Sequence, residues 1–314
     1  MSKRSGSGAA VLPGKGPFVA EQGEQGRRGK RATAGPIDTS VAHQARVYDY
    51  WLGGKDNFRA DREAAELALQ AYPGLRRGVQ AQRAFLGRAV HYLVTSQGVR
   101  QFLDIGTGLP AANNTHEVAQ AAAAECRVVY VDNDPLVLSH ARALLASDPR
   151  GVTDYLDADL RNTGDLLARA AATLDFDQPM AIMLIGILQL IGDADQPYQI
   201  VQRLLDTVPA GSFLAIAHPA SDIMPDRMGK VADELNQRSA TPTTLRTREQ
   251  IAAFFSGTTL IPPGLVQMHR WYPDGQPDQI PPDVIPLHGQ RAGGSPPASD
   301  EEEIPAYCGL GRKS

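Results

Sequence analysis

The stretch from Gln101 to Gln120, QFLDIGTGLPAANNTHEVAQ, constrains this chain more than any other. A short apolar run (Phe102, Leu103, Ile105) leads into Gly106 and Gly108 and then into a helical segment. Strand, glycine turn and helix start in that order form a nucleotide-binding device. The glycines let the backbone approach a ligand, and a helix N-terminus offers unpaired N–H groups. Asp104, at the strand end, completes the pattern D-x-G-x-G.

That acid helps to select the nucleotide. A dinucleotide site wants G-x-G-x-x-G beside a pyrophosphate, and here the third position is Ala111. Alanine is tolerated there, so it decides little. A carboxylate beside a pyrophosphate is repelled, whereas beside an ammonium group it is attracted. S-adenosylmethionine (SAM) carries an ammonium group and no phosphate, so Asp104 favours SAM over NAD. A second apolar run, VVYVDND, ends in Asp132, placed to accept ribose hydroxyls. A third acid, Asp159 in DYLDADLRN, follows a short strand and is placed to receive the adenine amino group. Each acid alone reads as a helix cap or loop residue; three in this order, each after a strand, form a pattern.

Composition narrows the classes that remain. At 314 residues with 42% hydrophobic content, the chain is long enough for one large or two small globular domains. A formal charge of -4 gives no electrostatic case for nucleic acid, and no apolar run reaches membrane-spanning length. Two cysteines, Cys126 and Cys308, without a CxxC spacing argue against a zinc site or disulfide framework and fit a reducing cytoplasm. No metal is expected.

Residues 1–35 are rich in Gly, Lys, Arg and Ser and are expected to be a disordered tail. Residues 36–98 read as a helical cap. Its helices are expected from Ala45 to Leu52, Phe58 to Ala71 and Arg77 to Ser96, with Tyr48, Tyr50 and Trp51 as a possible lid over a ligand or substrate. Residues 99–314 alternate strand and helix. Strands are expected at Gln101 to Ile105, Val128 to Asp132, Thr153 to Leu156, Met180 to Ile185 and Ser212 to Ala217. The helices between them include one from Pro135 to Ala146. Two later strands, Leu260 to Trp271 (broken by Pro262 and Pro263) and Ala306 to Gly311, flank a Pro- and Gly-rich loop at 274–304. The fold class is therefore α/β: a Rossmann-like, doubly wound, seven-stranded, mostly parallel sheet with an N-terminal helical cap, its ligand outside the strand C-terminal ends.

The segments RVYDYWLGGKDNFRADREAAE, FLDIGTGLP, HEVAQ, VVYVDNDPLVL, ADLR and CGLGRK resemble a bacterial family of S-adenosyl methyltransferases, formerly a domain of unknown function, within the class I SAM-dependent superfamily. The resemblance covers Ile37 to Lys313. It implies that Asp104, Gly106 and Gly108 hold the methionine end of SAM and that Asp132 binds the ribose. It implies that Asn133 and Leu160 lie along the adenine, that Asp159 meets its amino group, and that Gly186 and Ile187 line the pocket near the sulfonium. Two positions depart from the pattern: Trp51 replaces an aliphatic residue, and Gln189 replaces a histidine.

Methyl transfer from a sulfonium is an in-line displacement with a good leaving group, so alignment is the protein's main task. A base is needed only where the acceptor must first lose a proton. His43, His116, His218 and His269 are scattered, and none marks itself as that base. The favoured reading is a SAM-dependent methyltransferase acting on a small molecule. A SAM- or S-adenosylhomocysteine-binding protein without turnover is the alternative. A nicotinamide-dependent oxidoreductase is opposed by Asp104, and a nucleic-acid methyltransferase by the acidic chain.

Overall fold

A computed structural model describes residues 37–137, 139, 149–272 and 303–314, which fall in one compact unit. The tail at 1–35, most of the helix expected from Pro135 to Ala146, and all but the end of the loop at 274–304 lie outside the described residues.

Every residue of β1 (Gln101–Ile105) and β4 (Ala181–Ile185) is buried, the signature of strands covered on both faces. They pair in parallel at the centre of an eight-stranded sheet. On one side of them lie β2 (Arg127–Asp132) and β3 (Val152–Asp157), and on the other β5 (Phe213–Pro219), all parallel. Beyond β5, β8 (Ala306–Lys313) runs antiparallel and pairs with β5, β6 (Thr258–Leu260) and β7 (Val266–Gln267). The order is β3-β2-β1-β4-β5-β8-β6, with β7 on β8.

The break expected at Pro262 and Pro263 divides the run Leu260 to Trp271, so the seven expected strands become eight. The run Leu260 to Trp271 is not one strand: β6 ends before Pro262-Pro263, and β7 restarts beyond them and gives way to a helical turn at Met268–Arg270. Proline has no N–H to give the ladder, so the run divides there.

Alternate side chains go to opposite layers. Phe102, Val128, Met183 and Ala215 meet α3 (Leu75–Thr95) and α4 (Thr115–Ala122) on one face. Leu103, Val129, Ile182 and Leu214 meet α5 (Thr163–Ala170), α6 (Pro197–Asp206) and α8 (Arg248–Ala253) on the other. Each fully buried aliphatic side chain contributes about 1.5–3 kcal/mol. The first two helices, α1 (Gln44–Trp51) and α2 (Arg59–Ala71), pack instead with α7 (Pro225–Asn236) in a cluster containing Val47, Trp51, Ala64, Met228 and Val231. So α3 covers the sheet itself, while α1 and α2 lean out beyond it.

The strand order reverses between β1 and β4, since successive strands step outward from that parallel pair on both sides. A crevice opens at such a switch point, outside the strand C-terminal ends.

Candidate functional site

The turn after β1 is built by backbone geometry. Gly106 and Gly108 have φ of +74° and +67°, a region that other residues enter only at a cost. The Gly106 N–H donates to the Val131 carbonyl at 2.8 Å, and the Gly108 N–H donates to Asp132 Oδ2 at 2.8 Å. Asp132 Oδ1 accepts from the Asp134 N–H at 2.9 Å. The acid that ends β2 thus also fixes the glycine turn. Burial raises its pKa, against the opposing pull of the two N–H donors.

Asp104 is 4% exposed, and its Oδ2 accepts the Thr115 hydroxyl at 2.6 Å. Burial pushes its carboxyl up to about 6; the Thr115 hydrogen bond and the Arg83 cation oppose this, and Asp132 adds to it. Arg83 also donates to the carbonyls of Ala112 and Asn113 at 2.8 and 2.9 Å, so α3 grips the far side of the glycine loop.

Asn133, just after β2, donates through Nδ2 to Oδ2 of Asp159, just after β3, at 3.3 Å. Arg161 pairs with Asp159 at 3.2 Å and with Asp195 at 2.8 Å, and donates to the Leu190 carbonyl. At the end of β4, Gly186 has φ of +78°, and a Cβ there would stand 2.5 Å from Gln82 Nε2. Its carbonyl accepts from Gln189 Nε2 at 2.6 Å.

These strand ends border one cavity of about 170 Å³. Asp104, Gly106, Gly108, Asp132, Asn133, Asp159, Leu160, Gly186 and Ile187 all line it. Tyr48 and Trp51 of α1 line it too. The Tyr48 hydroxyl donates to the Val79 carbonyl at 3.3 Å, and the Trp51 indole N–H donates to the Ala65 carbonyl at 3.2 Å. Tyr50 does not join them, which corrects the lid expected from α1. Its hydroxyl donates to Glu66 Oε1 at 2.5 Å and its ring lies under the Arg76 guanidinium, on the side of α1 that faces α2 and α3.

Several lining residues carry no sequence signal. Gln82 and Arg83 belong to a helix whose apolar spacing reads as packing alone, and Ser239 to Thr241 arrive from beyond α7. The Ala42–Ser239 bridge brings that segment to the start of α1. Thr115, the partner of Asp104, is the first residue of α4, and only its place in that turn marks it.

The four histidines singled out above, His43, His116, His218 and His269, all have polar partners. His116 Nδ1 lies 2.9 Å from the Tyr130 hydroxyl, in the α4 layer. His218 is buried with Nδ1 against the Pro219 carbonyl and Nε2 against Arg246 Nη1, and burial lowers it to about 3. His43 lines the cavity with Nδ1 2.9 Å from Asp134 Oδ2. Burial raises Asp134, but His43 and Arg46 outweigh it and the net direction is down. His269 lies 3.2 Å from Arg270 Nε through its Nε2. Among the described residues, no cluster of His, Cys, Asp or Glu is arranged to hold a metal, and no helix is long and apolar enough to cross a membrane.

The donor set fits SAM. Asp104 is a buried carboxylate with one oxygen, Oδ2, engaged by Thr115. A Cβ on Gly108 would meet nothing within 4 Å, so that backbone faces open cavity. Asp132 and Asp159 add acceptors at two further strand ends, and Ile187 and Leu160 add apolar wall. Two acids of the set, Asp104 and Asp132, are buried and would repel a phosphate.

The comparisons with known proteins agree with this chemistry. A family described as S-adenosyl methyltransferase matches residues 30–314. A DUF574 family protein from Streptomyces avermitilis MA-4680 superposes with a TM-score of 0.77 at 40% identity, over 89% of this chain and 100% of that one. A protein from Thermobifida fusca YX, described as a candidate methyltransferase, superposes with a TM-score of 0.73 at 36% identity, over 88% and 96%. No curated protein matches significantly. The chain belongs to the S-adenosyl methyltransferase family, and it is a SAM-dependent methyltransferase with a Rossmann-like α/β fold.

Proposed function

We propose that this enzyme methylates a small molecule and that the cavity at the ends of β1 to β4 is its SAM site. One observation carries the reading: nine residues spread from Asp104 to Ile187, at the ends of four strands, line a single cavity. Asp104 takes the ammonium group of the methionine end, beside the backbone of Gly106 and Gly108. Asp132 takes the ribose hydroxyls. Asn133 and Leu160 flank the adenine and Asp159 accepts from its amino group. Gly186 and Ile187 line the sulfonium end, under Tyr48 and Trp51. When bound, SAM supplies a methyl group already attached to a good leaving group; the chain aligns the acceptor and excludes water.

The formal charge of -4 supports a small acceptor over a nucleic acid. Two buried, unpaired cysteines support a reducing, cytoplasmic setting.

The test is thermal unfolding with SAM, S-adenosylhomocysteine, NAD or no ligand. Ligand at about 100 times its dissociation constant adds roughly 2.7 kcal/mol. SAM and S-adenosylhomocysteine should raise Tm, and NAD should not. Asp104→Ala and Asp132→Ala should each reduce the rise while still unfolding cooperatively. A full SAM response in both variants places the site elsewhere.

A further inference from the structure

A second cavity, of about 120 Å³, adjoins the first and lies between α1, α3, α7 and the start of β8. Five residues line both cavities: Gln44, Tyr48, Trp51, Gln82 and Gln189. Two of the five abut Gly186. Gln189 Nε2 donates to its carbonyl at 2.6 Å, and a Cβ on Gly186 would stand 2.5 Å from Gln82 Nε2. The cavities therefore meet at the end of β4, where the SAM reading puts the sulfonium.

The second cavity is walled by apolar side chains that include Leu75, Val79, Met228, Val231, Leu245 and Ile304. Among the described residues that line it, none is charged and none is a histidine. Its two phenols bond to backbone: the Tyr72 hydroxyl donates to the Glu303 carbonyl at 3.1 Å, and the Tyr48 hydroxyl to the Val79 carbonyl at 3.3 Å. An ion brought in would be buried without a counter-charge, which is costly. An apolar cavity of about 150 Å³ is known to hold a benzene-sized guest. One of about 120 Å³ that opens onto a neighbour suits a single ring or a short branched chain.

Gly78 points the same way. It sits in the first turn and a half of α3 and lines the second cavity but not the first. Its φ is not positive, and among the described residues a Cβ on it would meet nothing within 4 Å. Neither the backbone nor a close neighbour requires glycine here, and glycine weakens a helix relative to alanine. What the missing side chain leaves is space in the chamber.

We propose that this chamber seats the body of the methyl acceptor, and that this body is uncharged, apolar and about one ring in size; this rests on the SAM reading of the first cavity. With its body between Val79, Met228 and Val231, the acceptor presents its reactive atom at the junction, beside the sulfonium. The walls align it by apolar contact and reject ions because they offer them no partner.

The experiment uses the full chain saturated with S-adenosylhomocysteine and measures binding of toluene, benzoate and benzylamine by ligand-observed NMR at pH 7, where the last two are ionised. Toluene should bind at least about tenfold more tightly than either ion, and should show magnetisation transfer to the methylene protons beside the sulfur of S-adenosylhomocysteine. Gly78→Phe, which grows a ring into the chamber, should abolish toluene binding while holding or raising Tm and keeping the S-adenosylhomocysteine shift. Ions that bind as well as toluene overturn the proposal. So does toluene binding that Gly78→Phe leaves untouched, or toluene bound without transfer to the cofactor. The comparison of toluene with the two ions needs no variant. No toluene binding in a chain that gives the S-adenosylhomocysteine shift sinks the proposal alone, whereas a wild type without that shift sinks the SAM reading beneath it.

Discussion

Thr115 Oγ1 donates to Asp104 Oδ2 at 2.6 Å, joining the first residue of α4 to the buried acid of β1 across the glycine turn. Burial holds Asp104 at about 6, above the ordinary 3.8, so in this group the folded state favours the proton. Its contribution to stability is complete below pH 3.8 and is lost as pH rises through about 6. Ligand binding has the opposite sign, because an ammonium partner needs the carboxylate. Without ligand, Asp104→Asn should therefore be more stable than wild type at about pH 8, with the advantage closing in acid. Its affinity for SAM should be weaker by about 1.5–3 kcal/mol and flat across pH 6, where the wild type strengthens. Tm and SAM titrations from acid to alkaline pH check both signs.

The two turn glycines should fail differently. A Cβ on Gly106 would stand 2.5 Å from the Ile187 side chain, whereas one on Gly108 would meet nothing within 4 Å. Both carry positive φ, which costs roughly 1–2 kcal/mol for an alanine. Gly106→Ala should add a steric penalty and lower Tm the more. Gly108→Ala should lose less stability and yet lose SAM binding, since its methyl points into the cavity. Denaturant melts paired with SAM titrations separate the two effects.

Arg246 is 1% exposed and ties β5 to the turns after β4. It donates to the Leu188 and Ile191 carbonyls, to Asp193 Oδ1 and to His218 Nε2. Arg246→Ala leaves buried acceptors without donors at about 1–3 kcal/mol each, so a loss of several kcal/mol in denaturant melts is expected.

His218 is held near 3, below its ordinary 6.5, first by burial and also by the Arg246 cation. The unfolded chain therefore takes the proton first, and stability falls as pH drops below 6.5. His218→Gln keeps an acceptor for Arg246 and should blunt that acid loss. Parallel Tm–pH curves for variant and wild type test it.

The sheet was legible because its central strands are apolar on both faces: Phe102 and Leu103 enter opposite layers, and both are fully buried. The glycine turn was legible because its chemistry is local. Tyr50 was misread because helical spacing places it near Val47 and Trp51, while its hydroxyl is drawn to Glu66 on the neighbouring helix. Gln82, Arg83 and Thr241 went unseen because they reach the cavity through contacts distant in sequence. The acid Asp132 was read as a ribose ligand alone. Its grip on the Gly108 N–H depends on the register of two strands, which no local pattern reports.

The placement of β8 bears on how the protein folds. It pairs residue 219 with residue 306 and residue 258 with residue 313, so it closes β5 and carries β6 and β7 in one step. Until then, β5 presents an open row of unpaired backbone N–H and C=O groups flanked by apolar side chains, the kind of edge that recruits other chains. Loop closure over that span must precede any gain from the pairing, so sheet completion is slow and late. Intermediates that aggregate during refolding should therefore expose β5, and a peptide of the β8 sequence, Ala306–Lys313, should suppress that aggregation by occupying its edge.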